Sequence, residues 1–89
     1  MKTLKLKHPL TLGKTEITEL KFRDYATAED MLAFDERGPN RQTIALIASL
    51  SGTDESLIKK LHVADYRAAD TMASEMIHAV ADEKNESES

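Results

Sequence analysis

Leu4 and Leu6 alternate with Lys5 and Lys7 near the start of the chain, a period of two that puts the leucines on one face and the ammonium groups on the other. This pattern predicts a half-buried strand. Pro9 has no N–H to give to a ladder and Gly13-Lys14 supplies a turn, so pairing is expected to lapse over a connection from Pro9 to Glu16. Thr18, Leu20 and Phe22 then share a face opposite Glu19, Lys21 and Arg23, which predicts a second strand. Ile17 breaks the alternation, and a bulge or a change of face is expected there. The two runs read as a hairpin over 3–23.

A two-stranded hairpin is marginal alone in water, so its apolar face needs a cover, and the remaining pattern offers only helices. Thr27 with Asp30 three residues on approximates a capping box, and Ala28, Met31, Leu32 and Phe34 follow as a helix over about 27–37, closed by Gly38-Pro39. In the next helix, 41–51, Ile44, Ile47 and Ala48 lie on one side and Leu46 and Leu50 on an adjoining one. It should be the most buried element. Gly52 suits a left-handed helix end, and Thr53, Asp54 and Glu55 open a short helix, 54–61, with Leu57, Ile58 and Leu61 inward and Lys59-Lys60 outward. A last helix, 65–81, is predicted from Tyr66, Ala69, Met72, Ala73, Met76, Ile77 and Val80, with Asp65 as its cap. Residues 82–89 have nothing to bury and are expected to be a disordered acidic tail. The sum is one α+β domain over 1–81, an N-terminal β-hairpin packed on a small bundle of three to four helices.

Composition narrows this further. The 89 residues suffice for one hydrophobic core and not two, and with no Trp, two Tyr and two Phe that core must be built from Leu, Ile, Val, Ala and Met. A single core of this size supplies only about 3–5 kcal/mol, so a partner or self-association can matter to stability. The absence of cysteine excludes disulfides and thiolate chemistry. No continuous apolar stretch of signal-peptide or membrane-span length is present, which predicts a chain that stays in the cytoplasm and makes no membrane contact. The net charge of -4 is unevenly spread: residues 1–24 carry six basic and three acidic side chains, and the rest of the chain six and thirteen. Only the N-terminal segment could attract phosphates.

Candidate chemistry is sparse. His8, His62 and His78 lack partners at metal-ligand spacing, the carboxylates are scattered on solvated faces, and Gly13, Gly38 and Gly52 are isolated at turns. The reading is a non-catalytic protein without metal or cofactor. One alternative is a helix-turn-helix DNA-binding regulator, because Ala48, Gly52, Ile58 and Leu61 fall at suitable spacings. Its recognition helix, 54–61, would begin with Asp54-Glu55 and offer only Lys59 and Lys60 as cations, and Thr53 stands where an apolar residue is usual. That charge pattern argues against nucleic acid.

The order of features carries a resemblance. Leu6-Lys7-His8-Pro9, the Gly13-Lys14 turn, the run Ile17 to Arg23, then Ala45 to Leu50, Ser51-Gly52, Leu57, Leu61 and Asp65-Tyr66 together resemble the tail assembly chaperones of Mu-like and related contractile-tailed bacteriophages, over roughly residues 4–80. The chain departs from that pattern where family members often have Arg-x-Pro after the second strand; here Arg23 is followed by Asp24-Tyr25, which loosens the start of the first helix. The resemblance implies a chaperone that binds the tape measure protein in the host cytoplasm, keeps it soluble during tail assembly and is absent from the mature virion. It also implies a longer form made by programmed frameshifting near the end of the reading frame, and the tail tube protein or that longer form as further partners. Homo-oligomers are compatible with it. A holdase for helical clients needs apolar surface on a soluble body. The expected partner-binding groove lies between the hairpin face and the last helix, at Leu20, Phe22, Tyr66, Met72 and Met76, residues that serve equally well as core.

Overall fold

The computed structural model describes the backbone of residues 1–88 and the side-chain surroundings of residues 1–78. Two antiparallel strands, β1 (Lys2–Leu12) and β2 (Thr15–Phe22), are followed by a 3₁₀ segment (Ala28–Asp35) and three helices, α1 (Pro39–Ser51), α2 (Glu55–Ile58) and α3 (Val63–Glu88). This is the expected α+β architecture, a hairpin laid on helices. The acidic tail expected at 82–89 lies outside the residues whose side chains are described.

Near its open end the hairpin pairs Leu4 with Leu20 and Lys5 with Glu19. Period-two alternation then sends Leu6, Leu20 and Phe22 into the core, where they are at most 7% exposed, and leaves Lys5, Glu19 and Lys21 in water. Beyond Lys5 the register slips, so that Leu6, Lys7, His8 and Pro9 stand opposite Thr18 alone before Leu10 pairs with Ile17. Pairing therefore resumes instead of ending at Pro9, and the strands close in a two-residue turn between Leu12 and Thr15, tighter than the expected connection from Pro9 to Glu16. Gly13 takes φ 58 there and no other residue of the turn has positive φ, the arrangement of a type II′ hairpin turn. The irregularity falls on β1, where Pro9 could not donate, rather than at Ile17.

A slip of this kind frees backbone amides, and a buried donor left without an acceptor costs about 1–3 kcal/mol. Asp65 supplies the acceptors. Its Oδ1 accepts the Lys7 amide and its Oδ2 the His8 amide, each at 2.9 Å, although it is nearly 60 residues away in sequence. Asp65 does not cap α3. The helix starts two residues earlier than expected, with the His62 Nδ1 accepting the Ala64 amide at 3.1 Å, and Asp65 sits in the first turn, 2% exposed, aimed at β1.

Pro39 opens α1 at its first position, earlier than the expected start at 41, where its missing N–H is no loss. Leu46, Ile47, Ala48 and Leu50 are all buried, as the near-continuous apolar run predicts, and Gly52 ends the helix at φ 63 with the Thr53 amide bonded to the Ala48 carbonyl. The Arg23 amide donates to the Leu50 carbonyl at 3.1 Å, tying the end of β2 to the end of α1. Asp54 caps α2 by accepting the Ser56 amide, but α2 is a single turn, and the chain continues to Leu61 through tighter i→i+3 bonds from Lys60 and Leu61. The 54–61 helix is thus half as long as expected. Ala69, Ala73 and Met76 of α3 complete the core against the hairpin and α1.

Replacing Asp65 with Ala should lower stability by about 1–3 kcal/mol in urea unfolding, since two strand amides lose their acceptor. Hydrogen exchange at Lys7 and His8 should accelerate in the folded variant while that of the α1 core amides changes only with global stability.

Candidate functional site

The segment between β2 and α1 is organised around a second buried carboxylate. Asp30 is fully buried, and each of its oxygens is occupied. Oδ1 accepts from the Arg23 Nη2 at 2.6 Å and from the Ser49 hydroxyl, while Oδ2 accepts the Thr27 amide at 2.6 Å and, more weakly, the Thr27 hydroxyl at 3.3 Å. Arg23 also donates to the carbonyls of Ser49 and Tyr25, at 3.0 and 3.2 Å, and its guanidinium lies 5.3 Å from the centre of the Tyr25 ring. One ion pair therefore fastens β2, the 3₁₀ segment and α1 together.

Burial pushes the Asp30 carboxyl upward, but the hydrogen bonds from Arg23, Ser49 and Thr27 together with the Arg23 charge outweigh it and hold the group below its ordinary 3.8. The hydrogen bond and charge of Asp30 raise Arg23 in turn, against partial desolvation. Asp65 behaves alike: burial pushes it up, and the Lys7 and His8 amides with the nearby His8 and His62 rings bring it below 3.8.

The anchor decides which way the segment faces. With three residues per turn, a 3₁₀ helix aligns every third side chain. Asp30 and Ala33 share the inner face, so Met31 and Phe34 share one outer face and Leu32 falls on the other. The structure leaves Met31 42%, Leu32 62% and Phe34 46% exposed. Phe34 and Pro39 border a groove of about 260 Å³ floored by Leu46 and bounded on α3 by Asp70, Ile77 and His78.

Of the five residues expected to bind a partner, Leu20, Phe22 and Met76 are 3%, 0% and 4% exposed and belong to the core, while Tyr66 and Met72 are half-buried. They do not line one groove. Tyr66 leans on α1, its hydroxyl donating to the Asn40 Oδ1 at 2.8 Å, and Met72, six residues on, projects about 240° around the helix from it. The residues missed by sequence reasoning are Arg23, Asp30 and the outward trio. The one local signal for them was Asp30, an acidic residue at the third position of a segment that carries Met31, Leu32 and Phe34.

His8 and His62 stack with ring centroids 3.8 Å apart, and among the described residues no group of three or more His, Cys, Asp or Glu side chains could hold a metal ion. No helix among the described residues is long and apolar enough to cross a membrane. For the helix-turn-helix alternative, α2 is four residues long and its first turn presents exposed Asp54 and Glu55, a poor match to phosphate.

The arrangement is that of a small scaffold whose two buried carboxylates hold elements together and which exposes several large apolar side chains among charged ones. Residues 3–78 match the family of phage tail assembly chaperone proteins, E, or 41 or 14, and the chain belongs to that family. The matched span runs from β1 to the last described side chain of α3 and so takes in both carboxylate anchors. Comparisons with curated proteins and with solved structures gave no match.

Arg23→Ala should destabilise the fold by about 3–5 kcal/mol, because Asp30 is left as a buried charge without its partner. Both aspartates are held below their unfolded value, so the unfolded chain binds more protons in acid, and the stability they contribute is complete above about pH 4 and lost as pH falls through their folded values. Urea midpoints measured from pH 7 downward should fall in that window, and Asp65→Asn should flatten the decline.

Proposed function

We propose that this domain binds the tape measure protein and keeps it soluble in the host cytoplasm while tail-tube subunits assemble around it, leaving before the virion is complete. The observation that carries the reading is the family match over 3–78, which covers the whole described packing unit rather than one motif. The geometry supports it in a general way. A small acidic body with three neighbouring exposed apolar side chains can shield an aggregation-prone helical chain without itself aggregating, provided the apolar patch stays small and charge surrounds it. Of the five partner-binding residues expected from the sequence, Tyr66 and Met72 are those a partner can reach without lifting the hairpin. The tail tube protein and a frameshifted longer form of the chain are further partners of the same reading. The role requires no chemistry from the domain.

Co-expression with the neighbouring long helical reading frame should move that protein from the pellet to the soluble fraction and co-purify it with this domain. Recovery of an insoluble tape measure protein, or salt-sensitive binding of duplex DNA by the purified domain, would overturn the proposal.

A further inference from the structure

The 3₁₀ segment is assembled inside out. Of its three acidic residues, Glu29 and Asp35 are exposed but Asp30 is 0% exposed, while its three large apolar residues face outward, Leu32 62% exposed. The Arg23–Asp30–Ser49 anchor enforces this choice, since rolling the segment by one 3₁₀ position, about 120°, would turn either Leu32 or Met31 and Phe34 inward in place of Asp30 and strand the guanidinium. A segment held with its apolar side outward next to a concave groove has the form of a preorganised binding edge.

We infer that Met31, Leu32 and Phe34, with the groove that Phe34 borders between α1 and α3, dock an amphipathic helix whose apolar stripe is flanked by Lys or Arg. The inference rests on the chaperone reading for the identity of the chain that carries this helix, the tape measure protein. Charge selects the occupant. The trio is flanked by exposed Glu29 and Asp35, and Asp70 faces the groove, while Arg41 lines a separate hollow with Glu36, Asp54 and Glu55. Arg37 is the remaining cation on that stretch of chain. An apolar strip edged by carboxylates attracts a basic amphipathic helix and repels both nucleic acid and anionic lipid. A second copy fits poorly: the exposed lysines Lys5, Lys7 and Lys21 lie on the hairpin, and the apolar stripe of α3 is already in the core.

Two probes test the assignment: the tape measure protein, and a synthetic helical peptide of about 18 residues with a leucine stripe flanked by lysines, set against the same peptide flanked by glutamates. The lysine-flanked peptide should bind at least about tenfold more tightly than its counterpart and lose that margin at high salt. Leu32→Glu with Phe34→Glu should abolish capture of both probes while circular dichroism stays that of the folded domain, because neither side chain belongs to the buried core. Glu29→Lys with Asp35→Lys, which leaves the apolar trio intact, should weaken binding about tenfold. Leu12→Glu, at the exposed hairpin tip, should change neither. If the tape measure protein is captured equally by the Leu32/Phe34 variant, the docking surface is refuted and the chaperone reading survives. If the peptide binds as expected but the tape measure protein does not, the surface stands and the chaperone reading fails. Equal binding of both peptides, or self-association that Leu32→Glu with Phe34→Glu disrupts, overturns the assignment.

Discussion

A pair of strands in water cannot hold itself together, and the hairpin of this domain depends on a carboxylate that reaches it from the far end of the chain. Where β1 slips out of register around Pro9, two consecutive amides turn away from β2, and Asp65 takes one on each oxygen. The ionised form is what the site needs, since only a carboxylate can accept two N–H bonds side by side without offering a donor of its own. This fixes α3 beneath the strand, and with α3 fixed, Leu6, Leu20 and Phe22 have a surface of Ala69, Ala73 and Met76 to pack on. The alanines matter here: small side chains let the helix come close enough for one aspartate to reach the strand backbone.

Asp30 repeats the device at the other end of the hairpin. The two sites differ in what they join. Asp65 connects a helix to backbone amides, so the match is geometric and any residue except proline can occupy positions 7 and 8 as far as that bond is concerned. Asp30 connects to the Arg23 side chain, so both partners are needed, and removal of either leaves a charge in the interior. A core poor in aromatic side chains gives limited hydrophobic stabilisation, and polar anchors of this kind contribute directionality that a small set of aliphatic contacts lacks.

The elements governed by local rules were legible in the sequence. Period-two alternation identified Leu4, Leu6, Leu20 and Phe22 as one face, Gly52 marked the end of α1, and Asp54 marked the start of α2. Thr27 and Asp30 were legible as a local pair, and their backbone bond is present. The long-range half of each anchor was not. Nothing near Pro9 announces that a residue nearly 60 positions later will satisfy its neighbours, and nothing near Asp30 shows that Ser49 and Arg23 will draw it inward. The candidate site suffered most from this. The groove expected at Leu20, Phe22, Tyr66, Met72 and Met76 includes three residues, Leu20, Phe22 and Met76, that lie in the core.

The period of a short helix therefore decides which residues this domain exposes. An α-helix over the same residues would gather Ala28, Met31 and Leu32 on one face and offer Asp30 to water, closing the apolar surface and leaving Arg23 without a counter-charge. The tighter 3₁₀ turn aligns Asp30 with Ala33, and once the aspartate is drawn in by the guanidinium, the residues between them have nowhere to go but out. The geometry of a single ion pair thus sets how much apolar surface the protein shows, and it does so at the edge where carboxylates are the dominant exposed charge. The same contact that exposes Leu32 also holds β2 and α1 together.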